Sequence, residues 1–391
     1  NSVTKIGDFA FAYCSGLTSI TCLAATPPSC GDDCFYKVNE SIPVYVPFGS
    51  VDAYKTANVW NDFTNIQAIG GEEPQNNVIT YTASEKLPET TEERTEGLHT
   101  NAFNVAITSH EFSNGIGTIT FAGEVTTIGN RAFYICELTS IEIPSSVTTI
   151  GDYVFAYSGL TSITIPESVT AIGEGAFETC SKMTSITIPN SVKTIGNSAL
   201  QGCSGLTSIE IPSSITTISN DIFRSCTGLK SVTIPNTITT IGENAFWNCN
   251  GLTSIKIPNS VKTIGKYAFR SCTSLTSINI PDTVTTIEEG TFYICSSLPS
   301  ITIPNTVKTI EKYAFYNCSK LASITIPNSV TTIGDDVFRF CSGLTSIEIP
   351  NSVETIGSEA FLNCTSLISI TIPSSVTTIG GSALSGCTGL T

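Results

Sequence analysis

The sequence predicts an α+β repeat solenoid, built of parallel strands with one short helical turn in each repeat. Three observations carry this. A leading Leu recurs at 160, 206, 229, 252, 275, 298, 321, 344, 367 and 390, with Met183 in the same place, so the period is 23 residues. Each repeat holds a stretch in which Ile alternates with a polar residue, the period of a strand, and a second short extended piece running from Val to Ile. A Pro followed by a small polar residue separates them, as in Pro258-Asn259. A fixed period of this size marks stacked units rather than one globular core.

Leu252–Ser274 shows the logic of one coil. Its apolar residues are Leu252, Ile255, Ile257, Val261, Ile264, Ala268, Phe269 and Cys272. Ile255 and Ile257 flank the polar Lys256, giving a first strand. Pro258 ends it, because Pro cannot donate to a ladder. Val261 to Ile264 forms a second extended piece, and Gly265 to Phe269 is expected to close the coil through a single helical or 3₁₀ turn. One coil leaves its apolar face bare, so stability has to come from stacking. With strands about 4.8 Å apart, the eleven coils from Leu138 onward would extend roughly 50 Å.

The run Leu252-x-x-Ile255-x-Ile257-x-Asn259, then Val261-x-x-Ile264-Gly265-x-x-Ala268-Phe269-x-x-Cys272, resembles the leucine-rich repeats of the BspA-like surface proteins. It departs from the common leucine-rich repeat, whose Asn falls one residue later and whose coil has one strand only. The resemblance extends over nearly the whole chain. It implies a right-handed coil and a secreted or surface-anchored protein of host-associated microbes, extracellular or on the cell surface and used for adhesion.

In chain order, residues 1–69 read as the end of a first array. Two degenerate coils carry Val3, Ile6, Ala10, Phe11 and Cys14, then Leu17, Ile20, Cys22, Cys30, Cys34 and Phe35. Ile42 to Pro47 makes a further strand, then a helix follows that Ser50 can N-cap, with Val51, Tyr54 and Trp60 on one side. Asn65 to Ile69 makes a last strand. The Val46-Pro47 to Tyr54 segment resembles the cap that ends an array in the same family. Residues 70–77 form a polar linker. Residues 78–123 break the repeat and are read as the N-terminal cap of a second array. Within them Lys86 to Gly97 is expected as a mobile acidic loop, and Val105–Phe112 and Ile116–Phe121 as a hairpin turning at Asn114-Gly115. Residues 124–391 are then a solenoid of about eleven coils, the one at Leu138 and the one before it each a residue short. Both ends fall inside a repeat, so the chain reads as a piece of a longer protein. The strand edges open at each end make end-to-end self-association a further expectation.

Only 13% of the 391 residues are charged and the net charge is −15. That argues against nucleic acid and anionic lipid, both of which reward Lys/Arg clusters. No apolar run approaches the ~18 residues of a membrane helix, so no membrane insertion is expected. Fifteen cysteines in an extracellular protein invite a disulfide framework. Position favours buried thiols instead, because Cys14, Cys136 and Cys180 to Cys387 recur at one coil site and Cys22, Cys30 and Cys34 replace inward residues. Bridges between stacked cysteines remain a minor alternative. No Cys-x-x-Cys pair with a nearby His supports a metal, and no cofactor is implied.

Gly after the second strand recurs at 151, 173, 196, 242, 265 and 334, but Ser219, Glu288 and Glu311 replace it, so a strictly left-handed backbone is not expected there. The acid pairs Glu288-Glu289 and Asp335-Asp336 suit the N-terminus of the expected helical turn better than general acid/base work. His99 and His110 lie outside the array, and no Ser or Cys has a recognisable catalytic partner, so no enzyme is expected. The Ser-x-Thr rows of the first strands resemble flat ice-binding faces, but Glu142, Glu210, Lys256, Asn279 and Glu348 spoil the lattice.

The residue after the inward Phe has to face out. From coil to coil it reads Arg224, Trp247, Arg270, Tyr293, Tyr316, Arg339, with Tyr267 and Tyr313 two residues before the Phe of their coils. Arg, Trp and Tyr dominate binding hot spots, and their alternation permits cation–π stacking. The other reading is that they merely stack to stiffen an edge. The expected function is a non-catalytic adhesion or recognition module for a host or neighbouring-cell protein, such as a matrix protein or receptor. Glycan capture by the aromatic strip and a structural spacer are the alternatives.

Overall fold

The computed structural model describes residues 3–24, 26–47, 50–68, 76–92 and 96–391. The chain forms two compact units, Asn1–Gln75 and Asn76–Thr391. In the first, Lys5–Ile6 pairs in parallel with Ser29–Cys30, and Ile20–Thr21, Val44–Val46 and Ile66–Ala68 form a parallel three-stranded sheet. The helix Val51–Thr56 and the 3₁₀ turn Trp60–Asp62 bury Tyr54 and Trp60 against Phe35 and Phe63. Their polar tips are satisfied inside: the Tyr54 hydroxyl donates to the Ala24 carbonyl at 2.8 Å and the Trp60 indole to that of Pro28 at 2.9 Å. Ser50 precedes the helix without a side-chain capping bond, so the helix is held by its buried face. Ile69 and residues 70–75 of the expected linker lie outside the described residues.

The second unit opens with the expected hairpin, Ile107–Ser113 against Ile116–Phe121. Asn114 and Gly115 both have positive φ, 54° and 82°, which the tight turn requires. An unexpected strand, Val78–Ala83, pairs antiparallel with the hairpin on one side and with Leu138–Glu142 on the other, joining the hairpin to the array. Lys86 to Gly97 is not simply a loop, since Leu87 is buried and Glu89–Thr90 pairs in parallel with Leu98–His99; residues 93–95 lie outside the described residues.

His110 ties this region together. Its Nδ1 donates to Glu89 at 2.9 Å, its Nε2 accepts from the Tyr81 hydroxyl at 2.7 Å, and that oxygen accepts the Leu87 N–H at 3.2 Å. Every polar atom of a neutral imidazole is thereby used. Burial depresses the His110 pKa below 6.5, and the bond from His110 holds Glu89 below 4.5. Both signs agree: an unfolded chain takes up these protons first, so stability present above pH 6.5 falls as the pH is lowered through 6.5 and again below 4.5. Amide exchange across residues 78–121 is therefore expected to accelerate on acidification, and substitution His110→Gln is expected to blunt the step near pH 6.5.

From Val125 onward the chain is a parallel β-solenoid. First strands stack in register, Ser300↔Ser323, Ser323↔Ser346 and Ser346↔Ser369, with Ile buried between exposed Ser and Thr. Second strands form another ladder, Thr286↔Thr309 through Thr355↔Thr378. The two short coils appear as the pairings Thr127↔Thr149 and Thr149↔Ala171.

The third side corrects the helical turn expected in each repeat: among the described residues of the array there is none. In Lys266–Cys272 the N–H groups of Tyr267, Phe269 and Ser271 cross to the carbonyls of Glu289, Thr291 and Tyr293 in the next coil, at 2.8, 3.0 and 2.7 Å. Those of Ala268, Arg270 and Cys272 turn back to Gly265, Tyr267 and Phe269. A 3₁₀ segment would send every N–H backward. Here alternate donors bind the neighbouring coil, and the chain accommodates this by placing Tyr267 and Ser271 at φ 54° and 57°, which no right-handed helix contains. The recurring Gly has a different cause. A Cβ on Gly265 would lie 2.7 Å from the backbone nitrogen of Glu243 in the coil below, so the column is a close approach between coils.

Rows of Leu, Ile, Val and Ala fill the interior together with a row of Phe and a row of Cys. Phe223, Phe246, Phe269, Phe292, Phe315, Phe338 and Phe361 stack with ring centres 5.3–5.9 Å apart and planes within 20°. Beside them each thiol donates to a carbonyl one coil back: Cys272 to Phe246 at 3.1 Å, Cys295 to Phe269 at 3.2 Å, Cys318 to Phe292 at 3.2 Å. Cys at this site is thus small, apolar and still a donor. All fifteen cysteines are free, but not all face inward. Cys14 is exposed and Cys22 and Cys30 are half-buried; among the described residues the strand of the Cys14 coil, Lys5–Ile6, pairs on one side only.

Candidate binding surface

The third side, which carries the inward Phe, also carries the outward row. Arg224, Trp247, Arg270, Tyr293, Tyr316 and Arg339 are all half-buried and form one continuous stack. The Arg224 guanidinium lies 4.0 Å from the centre of the Trp247 ring and that of Arg270 4.3 Å from the same ring. Arg270 lies 4.9 Å from Tyr293, which stacks on Tyr316 at 4.5 Å and 5°. Arg339 closes the row 5.8 Å from Tyr316. Each cation–π contact contributes about 0.5–2 kcal/mol, more where water is displaced.

Tyr267 and Tyr313 flank this row at the left-handed position, φ 54° and 59°. Tyr313 sits edge-on 6.3 Å from Tyr293 and 6.0 Å from Tyr316, and Tyr267 6.4 Å from Tyr293. Tyr267 lies over Gly290 of the next coil, where a Cβ would come within 2.1 Å of its ring. Gly290 therefore makes room for Tyr267, as Gly175 does for Tyr153.

Charge partners frame the row, and residue type alone does not reveal them. Arg224 pairs with Asp221 at 3.3 Å; Arg339 pairs with Asp336 at 3.0 Å and with Glu359. The signal lay in the Asp-x-x-Arg spacing. Glu289 accepts from the Tyr267 hydroxyl at 2.6 Å and pairs with Lys266 and Lys312 at 3.4 and 3.1 Å. Burial alone would raise its pKa; these three partners hold it below the usual carboxylate range. Asp335 accepts the N–H of Ser358 in the next coil. The acid pairs thus bridge coils instead of facing a helix N-terminus. Phe340, also missed, lies 5.5 Å from Tyr316 and 5.0 Å from Arg339 and widens the strip.

Elsewhere, the first-strand face is exposed Ser and Thr, and Asn279 spends its amide on both the N–H and the carbonyl of Ile257. Among the described residues no group of three or more His, Cys, Asp or Glu is placed to hold a metal, and no helix is long and apolar enough to cross a membrane.

Comparison with solved structures finds a leucine-rich repeat protein from Bacteroides ovatus, 27% identical with a TM-score of 0.50, over 73% of this chain and 79% of that one. A leucine rich cell surface protein from Faecalibacterium prausnitzii is 29% identical with a TM-score of 0.49, over 80% and 93%. A leucine-rich repeat protein of T. pallidum is 30% identical with a TM-score of 0.38, over 47% and 78%. No curated protein matches. A family model described as a BspA type leucine rich repeat region, in six copies, matches residues 1–70, 98–206, 148–276 and 262–391. Nearly the whole chain lies within those matches, and its repeats, paired strands and buried Phe and Cys rows are what that pattern builds: the protein belongs to the BspA type leucine-rich repeat family.

Proposed function

We propose that this chain is a non-catalytic recognition module of a microbial cell surface, which binds a host or neighbouring-cell protein through the Arg224–Arg339 strip. Residues 1–69 would end one array with a cap, and residues 78–123 would cap the array that presents the strip. One observation carries the reading. In a chain with few charges, six successive coils place Arg, Trp or Tyr at one outward site, half-exposed and mutually ordered. Such side chains give large contact area with little rotamer freedom left to lose. Leucine-rich repeat membership supports a protein-binding role, and the Faecalibacterium protein is described as a cell surface protein.

The stack also favours protein over glycan. A sugar ring docks on an aromatic face, whereas Trp247 lies between two guanidinium groups and Tyr293 has Arg270 and Tyr316 beside it. Mostly edges are left for a partner. Replacing Trp247, Tyr293 and Tyr316 together with Ala is expected to weaken binding to a responsive matrix protein by about a hundredfold or more. Panels of matrix proteins and glycans, probed with both chains, provide the measurement. Loss confined to glycans would favour sugar capture, and unchanged protein binding would leave only the spacer role.

A further inference from the structure

We propose that Arg270 is a carboxylate-binding site, through which the strip takes an acidic side chain of its protein partner. This rests on the strip being a recognition surface and adds the chemistry of what it recognises.

The three arginines of the strip are not equivalent. Arg224 and Arg339 have carboxylates three residues earlier, Asp221 and Asp336, and both are ion-paired. At the corresponding place before Arg270 stands Tyr267. Among the described residues the Arg270 guanidinium makes no hydrogen bond and no ion pair, and its Nε is buried without an acceptor. The Nε of Arg339 is also unmatched, but its Nη1 holds two carboxylates. Arg270 is therefore a cation without a counter-charge in a chain of net charge −15.

Its surroundings select the ligand. Trp247 at 4.3 Å, Tyr293 at 4.9 Å and Tyr267 at 5.5 Å surround the guanidinium with rings. Stacked rings cover the faces of a guanidinium and leave its in-plane N–H donors, which match a carboxylate bidentately. The ring edges beside it carry the positive side of the aromatic quadrupole. Donors and edges therefore present one sign of potential at one place. With ring faces occupied, the carboxylate is best carried by a polypeptide, whose side chain needs only this narrow slot.

The test uses the full chain and two immobilised probes, an acetylated, amidated peptide of alternating Gly and Glu and its Gly and Gln counterpart. The parent protein is expected to prefer the Glu peptide at least about tenfold, the value of a charge-assisted hydrogen-bonded pair. Arg270→Gln should abolish the preference. Tyr267→Asp should abolish it too with Arg270 still present, because it recreates the internal Asp-x-x-Arg pair; Asp221 and Asp336 show that Asp accepts this backbone, at φ 56° and 55°. Arg131→Gln, far along the array, should leave the preference intact. Thermal midpoints establish that each variant is folded. Equal Glu-peptide binding by parent, Arg270→Gln and Tyr267→Asp would overturn the proposal. So would Arg270-dependent binding of hyaluronan with no response to the Glu peptide. If the triple Ala variant loses a matrix protein while Arg270→Gln keeps it, the strip stands and the carboxylate site falls.

Discussion

Phe269→Ala is expected to destabilise the array by about 3–5 kcal/mol, the cost of emptying a large aromatic site in a close-packed interior. The ring is fully buried and stacked on both sides, 5.3 Å from Phe246 and 5.9 Å from Phe292, with planes within 7°. No neighbour can move in, because the backbone N–H of each Phe is fixed on a carbonyl of the next coil, as Phe269 is on Thr291 at 3.0 Å. In a solenoid each coil contacts only its neighbours, so the damage should stay local and divide the array. Denaturant unfolding is expected to become biphasic, with amide exchange rising first in coils 252–297. Leu200 already stands in the Phe row and is 1% exposed, so Phe269→Leu should cost much less. A single sharp transition at the parent midpoint for Phe269→Ala would contradict the stacked core.

Cys272→Ala is the second large effect, about 1–3 kcal/mol. It leaves a small void and removes the S–H donor 3.1 Å from the Phe246 carbonyl. Cys272→Ser should not rescue it: the hydroxyl is a better donor, but its shorter bond to Cβ moves it away from that oxygen, into apolar surroundings. The same burial pushes the Cys272 thiol up to about 12, so it behaves as an apolar donor and not as a nucleophile. Guanidinium midpoints of the three proteins measure this. A Ser variant as stable as the parent would mean that the hydrogen bond alone accounts for the residue.

What was legible in the sequence was whatever repeats. Ile255 and Ile257 announce a strand because their alternation is local, and eleven copies leave no doubt about which face is inward. The Phe and Cys columns and the outward row after Phe follow from the same period. The third side was misread because its conformation depends on bonds to the next coil: Tyr267 is left-handed so that its N–H can reach Glu289, and nothing within Gly265 to Phe269 says so. The Val78–Ala83 strand was missed because it occurs once. Register alone puts Cys14 inside, yet it is exposed, because register fixes which face a side chain takes and not how well its coil is covered. In the strip, residue type pointed to Arg270, but its lack of a counter-charge emerged only beside Asp221 and Asp336.

The stacking itself is tested most directly by thiol labelling read residue by residue. Native protein treated with iodoacetamide near neutral pH is expected to be modified quickly at Cys14, with Cys203 to Cys364 unreacted until guanidinium is added, since burial holds those thiols protonated and out of reach. Labelling of Cys226, Cys272 or Cys318 in the native protein at the rate of Cys14 would place that row outside and contradict the coil described here.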